Sequence, residues 1–198
     1  MSYEPILVTA LASTEEPISI EEAKLWLKVD EDQVDDDPVI QSLIATARER
    51  WEKRTRRSTI IQTFDQYLDA FPDDCPIRLG RAPLVAVSSV RYFAFSDLGD
   101  SSGTSMSSSG WYVDTAREPG RIVPIFSWPV PTRDYNGGIV RFTAGYSSGT
   151  SGIPEAAKTE IKTLLATLYE HRGDEAEQQA TLRAFDCEVG SFDLPEWG

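Results

Sequence analysis

Apolar residues recur at helical spacing in three segments of the chain, and each segment carries a signal that begins a helix. The first segment begins at Ser19, which forms a capping box with Glu22 because each side chain can satisfy a free backbone N–H. The other two begin at a proline, a residue that suits the first turn of a helix. The pattern therefore predicts helices at about residues 19–28, 38–57 and 154–172.

Between about residues 59 and 146 the pattern changes to β-branched and aromatic residues with partial alternation, which is typical of strands. Turn residues separate the runs, and no helical pattern interrupts them. The expected strands cover residues 59–71, 76–79, 85–95, 111–114, 121–124 and 138–146. We predict an α+β fold in which the N-terminal helices and a C-terminal helix pack with a small antiparallel β-sheet.

Two polar segments lie between these elements. Residues 30–37 are acidic, but they do not fit a calcium-binding EF-hand loop, which needs a central glycine and a glutamate at its twelfth position. We interpret them as a solvated loop that leads into the second helix, with Asp37 as its N-cap. Residues 96–110 are rich in Ser and Gly and cannot bury much apolar surface, so they predict a mobile hairpin tip that becomes ordered on contact with a partner.

The last 25 residues are acidic but carry large apolar side chains, whereas free tails are normally poor in aromatic residues. Burying six such side chains contributes roughly 9–18 kcal/mol, while ordering the backbone costs about 1–2 kcal/mol per residue. We therefore predict a folded domain at residues 1–173 and an extended C-terminal tail at 174–198 that is mobile in the free subunit. The expected partner-interface residues are Phe185, Val189, Phe192, Leu194 and Trp197.

Charge limits the possible partners. The formal net charge is −13, whereas binding to DNA phosphates needs an excess of Lys and Arg. One segment has the opposite sign, at the end of the second helix, where cations are also favoured by the helix dipole. We interpret it as an inter-subunit basic patch, with DNA contact as an alternative. Its members are Arg48, Arg50, Lys53, Arg54, Arg56 and Arg57.

Candidate chemistry is sparse. The single histidine, His171, has no nucleophile or carboxylate partner suggested by the sequence, and the two cysteines form no metal-binding pattern. We predict no catalytic, cofactor-binding or metal-binding residue. We also expect no membrane span, because no apolar stretch is long enough.

The order of several segments resembles phage head–tail connector (adaptor) proteins of long-tailed phages, prophages and gene transfer agents. Members typically read P-[IV]-[ST]-L-x-E-A-K-x-[HW]-L-[RK]-V-D and later E-x-x-T-x-R-x-L-[IL]-x-Q-T, which correspond here to residues 17–30 and 52–63. Further similar segments lie at residues 76–93, 113–115, 121–124, 140–146 and 153–172. The resemblance covers about residues 17–172.

The resemblance implies a structural virion protein with no enzymatic activity, located at the head–tail junction and, before assembly, in the host cytoplasm. It implies a homo-oligomeric ring, generally a dodecamer, between the portal protein and the next head-completion (stopper) or tail protein. Double-stranded DNA would pass through the ring without specific binding, which agrees with an acidic chain. A head-closure stopper or tail-completion protein is the alternative, and a DNA-binding regulator or an enzyme has less support.

Overall fold

The computed structural model describes residues 5–8, 16–73, 75–97, 102–146, 152–187, 192 and 194. In these residues the chain forms four α-helices and eight β-strands, which confirms the expected α+β class. They divide into a β unit, which includes Ile61–Gly145, and a helical unit built from the segments on either side of it. Each unit has its own apolar core.

Four helices make up the helical unit: α1 (Ile20–Leu27), α2 (Asp37–Thr55), α3 (Glu155–Glu170) and α4 (Glu175–Cys187). The Ser19 half of the predicted capping box is present at α1, where Ser19 Oγ accepts the N–H of Glu22 at 3.2 Å, while the Glu22 carboxylate pairs with Lys162. The N-cap of α2 is Asp36 rather than Asp37. The Asp36 carboxylate makes no capping bond and instead accepts the Tyr169 hydroxyl at 2.8 Å. This bond, together with burial, raises the pKa of Tyr169.

The core of the helical unit lies between α2 and α3. Ile40 and Ile44 of α2 pack with Ile161 and Leu165 of α3, and all four side chains are fully buried. Trp51 lies at the same interface and is fully buried, with its indole N–H donated to Glu160 at 2.8 Å. A tryptophan in a core needs a hydrogen-bond acceptor for its indole N–H, and Glu160 supplies it here.

In the described residues the β unit contains two sheets, where a single small sheet was expected, and the strand pairs in both are antiparallel, as predicted. The strands are β1 (Ile6–Leu7), β2 (Gln62–Leu68), β3 (Ile77–Arg78), β4 (Leu84–Tyr92), β5 (Thr104–Ser105), β6 (Trp111–Asp114), β7 (Arg121–Pro124) and β8 (Gly138–Ala144). The first sheet has the order β1-β2-β8-β4-β5 and the second the order β3-β7-β6. Phe64 and Phe142 face each other across the central β2–β8 pair and stack at 5.7 Å.

The Ser/Gly-rich segment differs from its prediction at residues 102–110. Strand β5 pairs with β4, and Met106 donates its N–H to Val90 and packs against the core. The Asp97 carboxylate accepts the N–H of Ala94 at 2.9 Å and the hydroxyl of Thr104 at 2.8 Å. These bonds lower the pKa of Asp97. Composition alone missed these contacts; residues 98–101 lie outside the described part of the chain.

The C-terminal segment also differs from its prediction, because Glu175–Cys187 is helical rather than extended. Asp174 caps this helix, since its side chain accepts the N–H groups of Ala176 and Glu177 at 3.1 and 3.2 Å. Leu182 and Phe185 then pack against the helical core. The division into a connector domain at 1–173 and a tail at 174–198 stays a prediction.

Candidate functional site

Glu52 and Thr55, the two residues of a Glu-x-x-Thr motif at the C-terminal end of α2, fix the direction of the chain that follows. Glu52 is buried, and its Oε1 accepts both the backbone N–H and the hydroxyl of Thr59, each at 2.7 Å. Thr55 donates its hydroxyl to Trp51 O at 2.8 Å and accepts the N–H of Arg57. The Glu-x-x-Thr spacing therefore serves to close the turn after the helix.

Arg48 lies within this buried network rather than on the surface. Its guanidinium donates to Glu16 at 2.8 Å and to Glu52 at 3.3 Å, with Glu49 as a third acceptor. Burial lowers the pKa of Arg48, but the hydrogen bond to Glu16 and the surrounding carboxylates raise it by more. Arg48 therefore contributes to the fold of the helical unit.

Four further arginines bind the C-terminal segment, and we call Arg50, Arg54, Arg56 and Arg57 the arginine clasp. Arg50 binds the Asp186 carboxylate through two nitrogens, at 2.5 and 3.2 Å, and donates to Leu182 O at 3.4 Å. Arg54 donates to Phe185 O at 3.2 Å, and its guanidinium lies 4.1 Å from the centre of the Phe185 ring. These contacts hold α4 against α2.

The other half of the clasp binds residues beyond α4. Arg56 donates to Leu194 O at 2.6 Å, and Arg57 donates to Phe192 O at 2.6 Å. Arg57 also donates to the Tyr146 hydroxyl at 3.0 Å. This bond connects the clasp to the segment at residues 140–146, which also resembles the connector proteins. Four of the acceptors of the clasp are main-chain carbonyls, which any residue type can supply.

The structure thus brings the two predicted sets of site residues together. Phe185, Phe192 and Leu194 of the predicted partner interface contact the end of α2, while Val189 and Trp197 lie outside the described residues. In the predicted basic patch, Lys53 is exposed. The members with partners in their own chain are Arg48, Arg50, Arg54, Arg56 and Arg57. The roles of both sets in contacts with other chains stay predictions.

Replacing Glu52 by Ala is expected to lower the free energy of unfolding by about 1–3 kcal/mol, because the two donors of Thr59 lose their buried acceptor. Chemical denaturation followed by circular dichroism measures this loss. Glu49 is the matched control, since its side chain is mostly exposed and its removal is expected to change stability by less than about 0.5 kcal/mol. Equal stability of the Glu52→Ala and Glu49→Ala variants would contradict the role given to Glu52.

The described residues show no group of three or more His, Cys, Asp or Glu side chains that could hold a metal ion. In the same part of the chain, no helix has both the length and the apolar character needed to cross a membrane. The candidate site consists of contacts between chain segments at the C-terminal end of α2, where arginine side chains meet carboxylates, main-chain carbonyls and apolar side chains.

Residues 17–115, half of the chain, match the family model described as phage gp6-like head-tail connector protein. The match defines a structural virion protein of the head–tail junction, and not an enzyme. The chain belongs to the phage gp6-like head-tail connector family. No curated protein sequence matches the chain significantly.

Solved structures with the same fold come from gene transfer agent particles. A chain in the virion of a native gene transfer agent particle aligns with a TM-score of 0.71 and 22% identity, over 94% of this chain and 97% of that chain. A chain in the neck of the native particle, computed with C12 symmetry, aligns with a TM-score of 0.68 and 24% identity over the same shares. A chain in the neck of the empty particle, computed with C6 symmetry, gives 0.69 and 24%. The likeness shows that the fold extends over nearly the whole chain.

Proposed function

We propose that the chain forms a closed ring of twelve copies between the portal protein and the next head-completion (stopper) or tail protein. The observation that carries this proposal is the fold shared with a chain in a particle neck that was computed with C12 symmetry. Coverage of 97% of that chain means that the elements available for subunit contacts have counterparts here. Membership of the head–tail connector family supports the same location.

The charges of the chain favour a ring through which DNA passes without specific binding. With a formal net charge of −13, the chain as a whole repels phosphate. The one basic segment, at the end of α2, already uses its arginines on carboxylates and carbonyls of its own chain. These five arginines are therefore less available to neutralise phosphates, which is the main source of affinity for DNA.

We propose in addition that the C-terminal segment makes the contact with the portal protein. Part of its attachment to α2 is weak, since the Arg50–Asp186 ion pair is half exposed and such pairs contribute only about 0–1 kcal/mol. The clasp arginines can exchange their carbonyl acceptors for main-chain carbonyls of another chain, because the acceptor is the same at every residue. The side chains of this segment proposed for the portal contact are Phe185, Val189, Phe192, Leu194 and Trp197.

Native mass spectrometry of the purified chain with its portal protein tests the proposal. The expected result is one complex whose mass equals the portal plus twelve copies of the chain, with no corresponding complex on a portal that lacks its tail-facing surface. Attachment only to a preformed portal–connector complex would instead indicate a stopper or tail-completion protein. A monomer with no affinity for the portal, or binding to DNA that persists at physiological salt, would contradict the proposal.

A further inference from the structure

The loop between β7 and β8, at residues 125–136, exposes large apolar side chains that do not contribute to the fold of its unit. The side chains of Phe126, Val130 and Tyr135 are 87%, 89% and 79% exposed. Residues 125–132 contain no charged side chain, although a quarter of the residues in the whole chain are charged. We call the side chains of Phe126 and Val130, with their neighbours at 125–132, the apolar loop surface.

This loop is held in place at its centre by Trp128. The Trp128 ring is buried and stacks on Phe71 with 5.4 Å between ring centres, and its indole N–H is donated to Cys75 O at 2.9 Å. Phe126 and Val130 lie two residues on either side of this anchor. Because Trp128 anchors the backbone between them, the side chains of Phe126 and Val130 are held in exposed positions.

The C-terminal half of the loop is held as well. Thr132 donates its N–H to Phe93 O at 2.8 Å, and the Arg133 guanidinium lies 3.6 Å from the centre of the Phe93 ring. Asn136 donates its N–H to the Asp69 carboxylate at 3.0 Å. An ordered segment that exposes large apolar side chains marks an interaction surface, because little conformational entropy is lost when a partner covers it.

A second apolar surface lies on α1 of the helical unit. Leu25 is 81% exposed, and the adjacent Trp26 is also exposed. The helix that carries them is fixed by its Ser19 cap and by Lys24, which lies 2.6 Å from Asp37. We call Leu25 and Trp26 the α1 surface.

A ring with cyclic symmetry needs two different faces on each subunit, because one face of a copy meets another face of the next copy. Copies that each carry a net charge of −13 repel one another, so their contact is favoured where acidic side chains are absent. The apolar loop surface meets this condition, and on α1 the residues Leu25 and Trp26 follow the two glutamates of its first turn, Glu21 and Glu22. We propose that the apolar loop surface of one copy covers the α1 surface of the next copy, an inference that rests on the proposed ring.

Cysteine crosslinking within the portal-bound ring tests this contact. Cys75 and Cys187 are first replaced by Ser; the Cys75 contact with Trp128 uses the main chain and is retained. A chain that carries both Phe126→Cys and Leu25→Cys is assembled on the portal and treated with a short bismaleimide crosslinker. The expected product is a ladder of covalent multimers that ends at the closed ring, because each copy is linked to two neighbours. Either substitution alone is expected to give monomers.

The matched control combines Leu25→Cys with Val85→Cys, since Val85 is an exposed apolar residue on β4 of the same unit as the loop. This control is expected to give no ladder. Rings that are visible by electron microscopy but give no ladder with Phe126→Cys and Leu25→Cys would overturn the inference and leave the proposed ring intact. Dimers from Phe126→Cys alone, or its crosslinking to the portal, would overturn it too. The absence of any ring would overturn both.

A second variant measures the strength of the contact. Replacing both Phe126 and Val130 by Ser is expected to weaken association between copies by at least about tenfold, because central apolar side chains dominate the affinity of an interface. The thermal unfolding of the isolated subunit is expected to change little, since both side chains are exposed. A folded double variant that forms rings at the same concentration as the unchanged chain would overturn the inference.

Discussion

Replacing Trp51 by Ala is expected to lower the free energy of unfolding by about 3–5 kcal/mol, the range seen when a large aromatic side chain is removed from a core. Trp51 is fully buried between α2 and α3, and Phe192 packs edge-on against it at 5.7 Å. The variant also loses the indole donor of Glu160. Because small domains are stable by only about 5–15 kcal/mol, this is a large fraction of the total.

Urea denaturation followed by circular dichroism measures the effect. Tyr135→Ala is the matched control, because it removes an aromatic side chain that is exposed and is expected to change stability by less than about 0.5 kcal/mol. A Trp51→Ala variant that loses less than about 1 kcal/mol would show that the helical unit does not depend on the packing described for it.

Removing residues 174–198 is expected to abolish attachment to the portal protein while the chain still folds cooperatively. The centre of the helical core, around Ile44 and Leu165, is formed by α1, α2 and α3. Some stability is expected to be lost, because Leu182 and Phe185 no longer cover that core and the clasp loses its acceptors. Co-sedimentation with the portal and circular dichroism of the free chain measure the two effects separately.

The control for this truncation is the full-length chain with Arg50→Gln and Asp186→Asn. These substitutions remove one half-exposed ion pair and the Arg50 contact with Leu182 O, but keep the apolar side chains of the segment and the other three carbonyl contacts of the clasp. This variant is expected to bind the portal as the unchanged chain does. Portal attachment by the truncated chain at normal affinity would show that another surface of the subunit makes the contact.

The sequence predicted the long elements well, because their periodicity is strong. Helices α1 to α3 and the six predicted strands all appear. Helices α2 and α3 and the central strands β2 and β8 bury apolar side chains that recur along the segment. Strands β1 and β5 have two residues each and exist only because β2 and β4 offer open edges to them. Helix α4 was missed because only a few apolar residues mark its inner face, although its Asp174 cap was visible in the sequence.

Both halves of the candidate site were recognised from the sequence as unusual, one as a basic helix end and the other as an acidic tail with aromatic residues. Their contact with each other was not predicted. Arginines that bind main-chain carbonyls leave no sequence signature on the acceptor side, because the backbone is the same at every residue. The buried role of Arg48 was missed for a related reason, since its partner Glu16 lies 32 positions away.

Electron cryo-microscopy of the purified chain bound to its portal protein tests the central claim most directly. We expect a closed ring of twelve copies stacked on the portal, in agreement with the C12 symmetry of the neck that contains a chain of the same fold. The ring is expected to leave an open, acidic channel along the axis. A portal that carries no ring density, or the chain found as single copies bound elsewhere, would contradict the account.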